Sequence, residues 1–200
     1  MEVNSTIPIS EPSFQIPFDL FVCKKRSTGF LTFSDSAGNL VYRVEKLNPK
    51  STEFHHHHHH HRPHCIKLLL DSADNTLFSI HQVKKGSWKV FRGNEKEDKD
   101  LILKVERTLD ELTRSEFEIE IVLLNEGSKL TMKGCPFKRS CTIYEGNSIV
   151  AESSLMYTLG IGKMFVPRSR FRVTIFPGTT DHGLIVSLIA IFFHGRKLWI

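Results

Sequence analysis

Along most of the chain apolar and polar positions alternate with a period of two. Phe117, Ile119 and Ile121 are interleaved with Glu118 and Glu120, the pattern of a strand with one face buried and the other in water. Residues 30–33 form one such run, and Leu40, Tyr42 and Val44 alternating with Val41, Arg43 and Glu45 form the next. Between them lies the turn sequence Asp35-Ser36-Ala37-Gly38-Asn39, in which Gly38 and Asn39 are expected to supply the positive φ of a hairpin. The same words return at Asp71-Ser72-Ala73-Asp74-Asn75, between Leu68-Leu69-Leu70 and Leu77, Phe78 and Ile80. A third turn, Glu145-Gly146-Asn147, separates strands expected at 141–144 and 148–152. Further strands are expected at 87–91, 101–106, 117–124, 130–133, 155–159 and 171–176. Repeated strand-turn-strand units predict an antiparallel meander rather than alternating strands and helices.

Residues 183–193 break this rhythm, reading GLIVSLIAIFF. The run falls short of the roughly 18 to 20 apolar residues that cross a bilayer, and Asp181, His182, Arg196 and Lys197 close it off. A helix apolar on every side must be surrounded. Its large side chains offer on the order of 15 kcal/mol of gross burial energy. The chain supplies mainly strands to surround it, and a closed barrel with the helix threaded through its middle removes sheet edges and fills the interior together. Thr180 or Asp181 is the expected N-cap, and Gly195 the expected stop. Asp181 beside His182 is therefore read as capping rather than as half of an acid-base pair.

At 200 residues, with 40% hydrophobic and 24% charged content, the chain has the profile of one globular domain with a sizeable core. Residues 1–17, with Pro8, Pro12 and Pro17, are expected to be a loose extension; the domain is expected over 18–195, with 196–200 as a tail. Residues 94–100 are expected to be a solvated charged loop. Four cysteines and a polar opening segment point to a reducing intracellular compartment. Cys135 and Cys141 are too far apart for a zinc or redox pair and are expected to be free thiols. Trp88 lies in an alternating strand and is expected in the core. No nucleophile elbow, zinc-protease helix, phosphate loop or dinucleotide fingerprint is present.

Two features bear on ligands. His55 to His61 are seven consecutive histidines, expected to form an expanded loop. His55, His57, His59 and His61 would take up transition metals adventitiously, since a homopolymer lacks the fixed spacing of a specific site. The second is charge: the chain carries +5 with a pI near 9.0, which favours anionic partners. Between Lys129 and Arg172 stand eight basic residues against Glu145 and Glu152 alone. In the strand at 171–176, Arg170 and Arg172 alternate with Phe171, Val173 and Ile175 and should stand together on the outside. With Arg168 and Lys163 they are the candidate headgroup ligands for anionic phospholipid or phosphoinositide. Aromatic residues are not interleaved as a base-stacking platform requires, so nucleic acid is not the expected partner.

The sequence Phe33-Ser34-Asp35-Ser36-Ala37-Gly38-Asn39-Leu40-Val41-Tyr42-Arg43-Val44 carries a family resemblance. So do Leu69-Leu70-Asp71, Trp88-Lys89-Val90-Phe91, Ser140-Cys141-Thr142-Ile143-Tyr144, Val150-Ala151-Glu152, and the stretch from Phe171 through Gly178 and Asp181 into the apolar run. In this order they resemble the plant LURP-one-related proteins over residues 18–193. The resemblance implies a twelve-stranded β-barrel around a central hydrophobic helix, the fold of tubby C-terminal domains and phospholipid scramblases. It implies no catalytic residue set and no cofactor. The expected function is a non-enzymatic, monomeric, peripheral phospholipid- or phosphoinositide-binding module without transmembrane insertion. A cytoplasmic location is expected, with peripheral plasma-membrane or nuclear association. The alternative is a scaffold for signalling proteins in plant defence or stress.

Overall fold

The computed structural model describes residues 16–24, 30–47, 65–94, 98–107, 117–123, 129–135, 140–156, 158–160, 163–165, 170–178 and 181–195. Residues 1–15 of the extension, the segment 48–64 holding the histidine tract, and the tail 196–200 therefore lie outside the described residues. Twelve antiparallel strands close into a barrel around one helix. In chain order the strands are β1 (Phe18–Lys24), β2 (Leu31–Ser34), β3 (Leu40–Lys46), β4 (Cys65–Asp71), β5 (Thr76–Lys84), β6 (Ser87–Arg92), β7 (Leu101–Arg107), β8 (Phe117–Leu123), β9 (Lys129–Cys135), β10 (Ser140–Glu145), β11 (Ser148–Leu155) and β14 (Arg170–Ile175). Each pairs with its neighbour in sequence, and β14 closes the ring between β11 and β1.

The strand expected at 155–159 is two elements. Leu155 ends β11, and β12 (Thr158–Gly160) pairs with β13 (Lys163–Phe165) in a small ribbon outside the barrel. Leu159 opposes Met164 in that ribbon, so it does not pair into the barrel. Among the described residues of the charged stretch at 94–100, Asp98–Asp100 form a 3₁₀ turn.

The period-two alternation does what it predicts. Leu20, Val22, Phe33, Val44, Leu69, Phe78, Val90, Leu103, Ile119, Met132, Ile143 and Val173 all point inward and are buried. They pack on α1 (His182–Gly195), whose residues from Leu184 to Phe193 are at most 7% exposed. Trp88 belongs to the same core. Ser187 is the polar exception on the helix, and its hydroxyl donates to the Gly183 carbonyl at 2.9 Å, which satisfies it without a partner from the barrel wall. Gly183 lies against Phe78: a Cβ there would sit 2.6 Å from Phe78 Cε2, so the helix enters the barrel where only a bare backbone fits.

Asp181 is the N-cap. Its Oδ1 accepts from the Gly183 N–H at 2.6 Å, meeting one of the orphan donors of the first turn. His182 stacks on Phe18 with ring centroids 5.7 Å apart, a packing role. At the other end Phe193 meets Phe171 at 4.3 Å.

The two related hairpin turns are built alike. Asp35 accepts from the Asn39 backbone N–H at 2.8 Å and from its side-chain amide at 2.9 Å. Asp71 makes the same pair with Asn75 at 2.8 and 2.9 Å, and takes Ala73 N–H as well. Positive φ falls on Gly38 at 86° in the first turn and on Asp74 at 66° in the second. Asn39 was expected to share that role and does not; its amide is occupied in tying the turn to Asp35.

Candidate functional site

The helix runs through the barrel from one mouth to the other, and the two mouths differ in charge. Around the helix N-terminus lie Asp35, Asp71, Asp74 and Asp181. Hydrogen bonds from Asn39 and Asn75 hold the Asp35 and Asp71 carboxyls below the usual range. Arg43 reaches both Glu45 and Asp74, the latter at 3.0 Å. Carboxylates at this end face the positive pole of the helix.

The opposite mouth is basic. Lys24 on β1, Lys46 on β3 and Lys67 on β4 occupy the last or near-last inward positions of their strands: Lys24 opposes the buried Leu31, Lys46 opposes Lys67, and Lys67 opposes the buried Ile80. Lys67 turns inward, with Nζ 3.4 Å from the Ala190 carbonyl in the last turns of α1. Burial, with the Lys24 and Lys46 charges adding to it, lowers the Lys67 ammonium from 10.5 to about 8, against an opposing pull from Cys65. Lys67 lines a small cleft with Cys65, Ile80, Gln82, Trp88 and Ile191, with space on the scale of a single water molecule. Gln82 is 6% exposed.

On the outer wall next to this mouth, Arg170 and Arg172 stand on β14, both exposed, with Phe171 and Val173 buried between and beyond them. Their neighbours across the sheet are Cys23 and Phe21 on β1, and Ser154 on β11. Neither arginine makes an ion pair among the described residues. The other basic residues of that stretch are placed differently. Lys129 pairs with Glu120 at 2.9 Å and Lys133 with Glu118 at 3.6 Å, three strands away around the barrel. Lys163 lies in β13, and Arg168 is outside the described residues. So the structure brings together two of the four candidate headgroup ligands.

Residues 18–193 match the model of the LURP-one-related family. The chain belongs to that family. It is 41% identical to Protein LURP-one-related 7 of Arabidopsis thaliana, over 94% of this chain and 95% of that one. It is 26% identical to Protein LURP-one-related 15 of the same plant, over 88% and 78% of the two chains. The X-ray structure of an Arabidopsis thaliana protein superposes with a TM-score of 0.59 at 27% identity, covering 88% of this chain and 89% of that one.

This LURP-one-related barrel keeps its thiols apart. All four cysteines are free. Cys135 opposes Ser140 across β9 and β10, while Cys141 opposes Gly134. Cys141 points inward, and burial pushes its thiol up to about 12, which leaves it protonated and unreactive. Among the described residues no group of three or more histidine, cysteine or acidic side chains could hold a metal ion. The histidine tract, including His55, His57, His59 and His61, lies outside them. No described helix is long and apolar enough to cross a membrane.

The lysines of the basic mouth and Gln82 were not among the residues picked out by sequence. Their signal was parity: Lys67 sits two before the inward Leu69, and Lys46 two after the inward Val44. A charged residue at an inward position is easily taken for a strand end. Only the closed barrel shows that three of them converge on one helix terminus.

Proposed function

We propose that this LURP-one-related chain is a non-enzymatic, peripheral binding module for anionic phospholipid, phosphoinositide in particular. The observation that carries this reading is the exposed pair Arg170 and Arg172, which has no carboxylate partner among the described residues. Lys129, Lys133 and Arg43 are by contrast each matched to an acidic neighbour. A matched pair is neutral to an approaching surface, whereas two adjacent unmatched guanidiniums can each donate a bidentate pair of N–H bonds to phosphate oxygens. Each basic residue near an anionic bilayer adds about 1 kcal/mol of attraction.

The rigid wall favours docking without insertion, because the apolar helix is already enclosed by the barrel. Vesicle flotation tests the reading. Phosphatidylcholine vesicles containing phosphatidylinositol bisphosphate should carry the protein upward, and plain phosphatidylcholine vesicles should not. The combined variant Arg170→Ala, Arg172→Ala should lose most of the floated fraction at moderate salt. Flotation that is indifferent to anionic lipid would refute the proposal.

A further inference from the structure

The mouth where the helix C-terminus emerges has no task in that reading, and its composition asks for one. Three lysines from three strands stand there at the parity of the inward residues, Lys46 exposed at the rim and Lys24 and Lys67 partly buried. Lys46 and Lys67 are directly opposed across β3 and β4, an arrangement of like charges that destabilises a sheet unless something compensates it. The Ala190 carbonyl and the negative pole of α1 offer partial compensation to Lys67. No carboxylate forms an ion pair with Lys46 or Lys67 among the described residues. Beneath them Gln82, 6% exposed, lines the Lys67 cleft.

We infer that the basic mouth is a binding site for a phosphate monoester, held by Lys24, Lys46 and Lys67. The charge and shape favour phosphate over a carboxylate. Three ammonium groups arrive from separate strands, and a phosphate monoester presents three terminal oxygens and nearly two negative charges, where a carboxylate presents two oxygens and one. Bound phosphate would exchange the Lys46–Lys67 repulsion for attraction. The site is distinct from the Arg170 and Arg172 wall, since those arginines point outward from β14. The inference rests on the preceding reading only for the class of ligand; the phosphate could belong to a lipid headgroup or to a soluble inositol phosphate.

The test uses the full chain and titration calorimetry with inositol 1,4,5-trisphosphate, alongside flotation with the vesicles described above. The variants are Lys46→Gln, Lys67→Gln combined and Arg170→Gln, Arg172→Gln combined, each confirmed folded by circular dichroism. If the lysine variant misfolds, Lys67→Met alone replaces it, because removing a strained buried charge favours folding. Loss of inositol trisphosphate affinity on the order of tenfold or more in the lysine variant, with little change in the arginine variant, supports the site. Inositol trisphosphate bound at the mouth without vesicle flotation keeps this inference, assigns a soluble ligand, and removes the lipid reading. Flotation abolished by the arginine variant but untouched by the lysine variant removes this inference and keeps the lipid reading. Absence of both kinds of binding overturns both.

Discussion

The two mouths of the barrel solve opposite problems. At the helix N-terminus every prominent carboxylate is tied down: Asp35 by Asn39, Asp71 by Asn75 and Ala73, Asp74 by Arg43, and Asp181 by the Gly183 N–H. At the C-terminus lysines face one another with a depressed ammonium among them. The first end uses charge for local order and the second tolerates an electrostatic cost. A protein seldom keeps such a cost where a neutral side chain would fit, so the contrast separates the end that secures the fold from the end where we place the phosphate site.

The largest test of this contrast lies on the helix. Ile185→Ala near the carboxylate end removes a fully buried side chain in a closed environment and should cost about 3 to 5 kcal/mol in denaturant unfolding. Ile191→Ala borders the Lys67 cleft, where the surroundings can relax into existing space, and should cost nearer 2 kcal/mol. Equal losses would erase the packing half of the comparison.

Lys67→Met comes next. The folded ammonium titrates at about 8 instead of 10.5, so between those values the unfolded chain still holds a proton that the native protein has released. Stability therefore rises with pH across that window, and the penalty is fully present below it. The Met variant should be more stable than the parent by about 1 to 3 kcal/mol at pH 7. The advantage should shrink toward pH 10.5. A destabilised variant at neutral pH would mean that the Ala190 contact outweighs desolvation.

The smallest effect belongs to the aspartate turns. Asp35 and Asp71 both titrate below 3.8, so their contribution is complete above that value and is lost as pH falls through the lower folded values. Asp35→Asn, Asp71→Asn combined should lower the thermal midpoint at pH 7 and flatten its decline in acid. A parallel acid limb in parent and variant would show the turns to be electrostatically inert.

The architecture was legible because its determinants are local. Alternation in Phe117-Glu118-Ile119-Glu120-Ile121, the repeated Asp-to-Asn turns and the uninterrupted 183–193 run each report their surroundings through neighbouring residues alone. The outward pairing of Arg170 and Arg172 was legible for the same reason, since parity within one strand decides it. What escaped depends on closure. Nothing near Lys24 indicates that it faces Lys67, because their meeting requires β1, β3 and β4 to curl around α1. The β12–β13 ribbon escaped because its strands are three residues each, too short to display a period. The partners of Lys129 and Lys133 needed the register of β8 against β9.

The seam joins β1 to β14, so Asp19 accepts a hydrogen bond from Thr174 at 2.6 Å across 155 positions of chain, and the plug follows the last wall strand. A ribosome making this protein therefore releases a sheet that can neither shut nor fill until nearly all of it has been translated. For that interval its inner surface, destined for α1, stays uncovered, the condition in which a folding chain is most prone to aggregate.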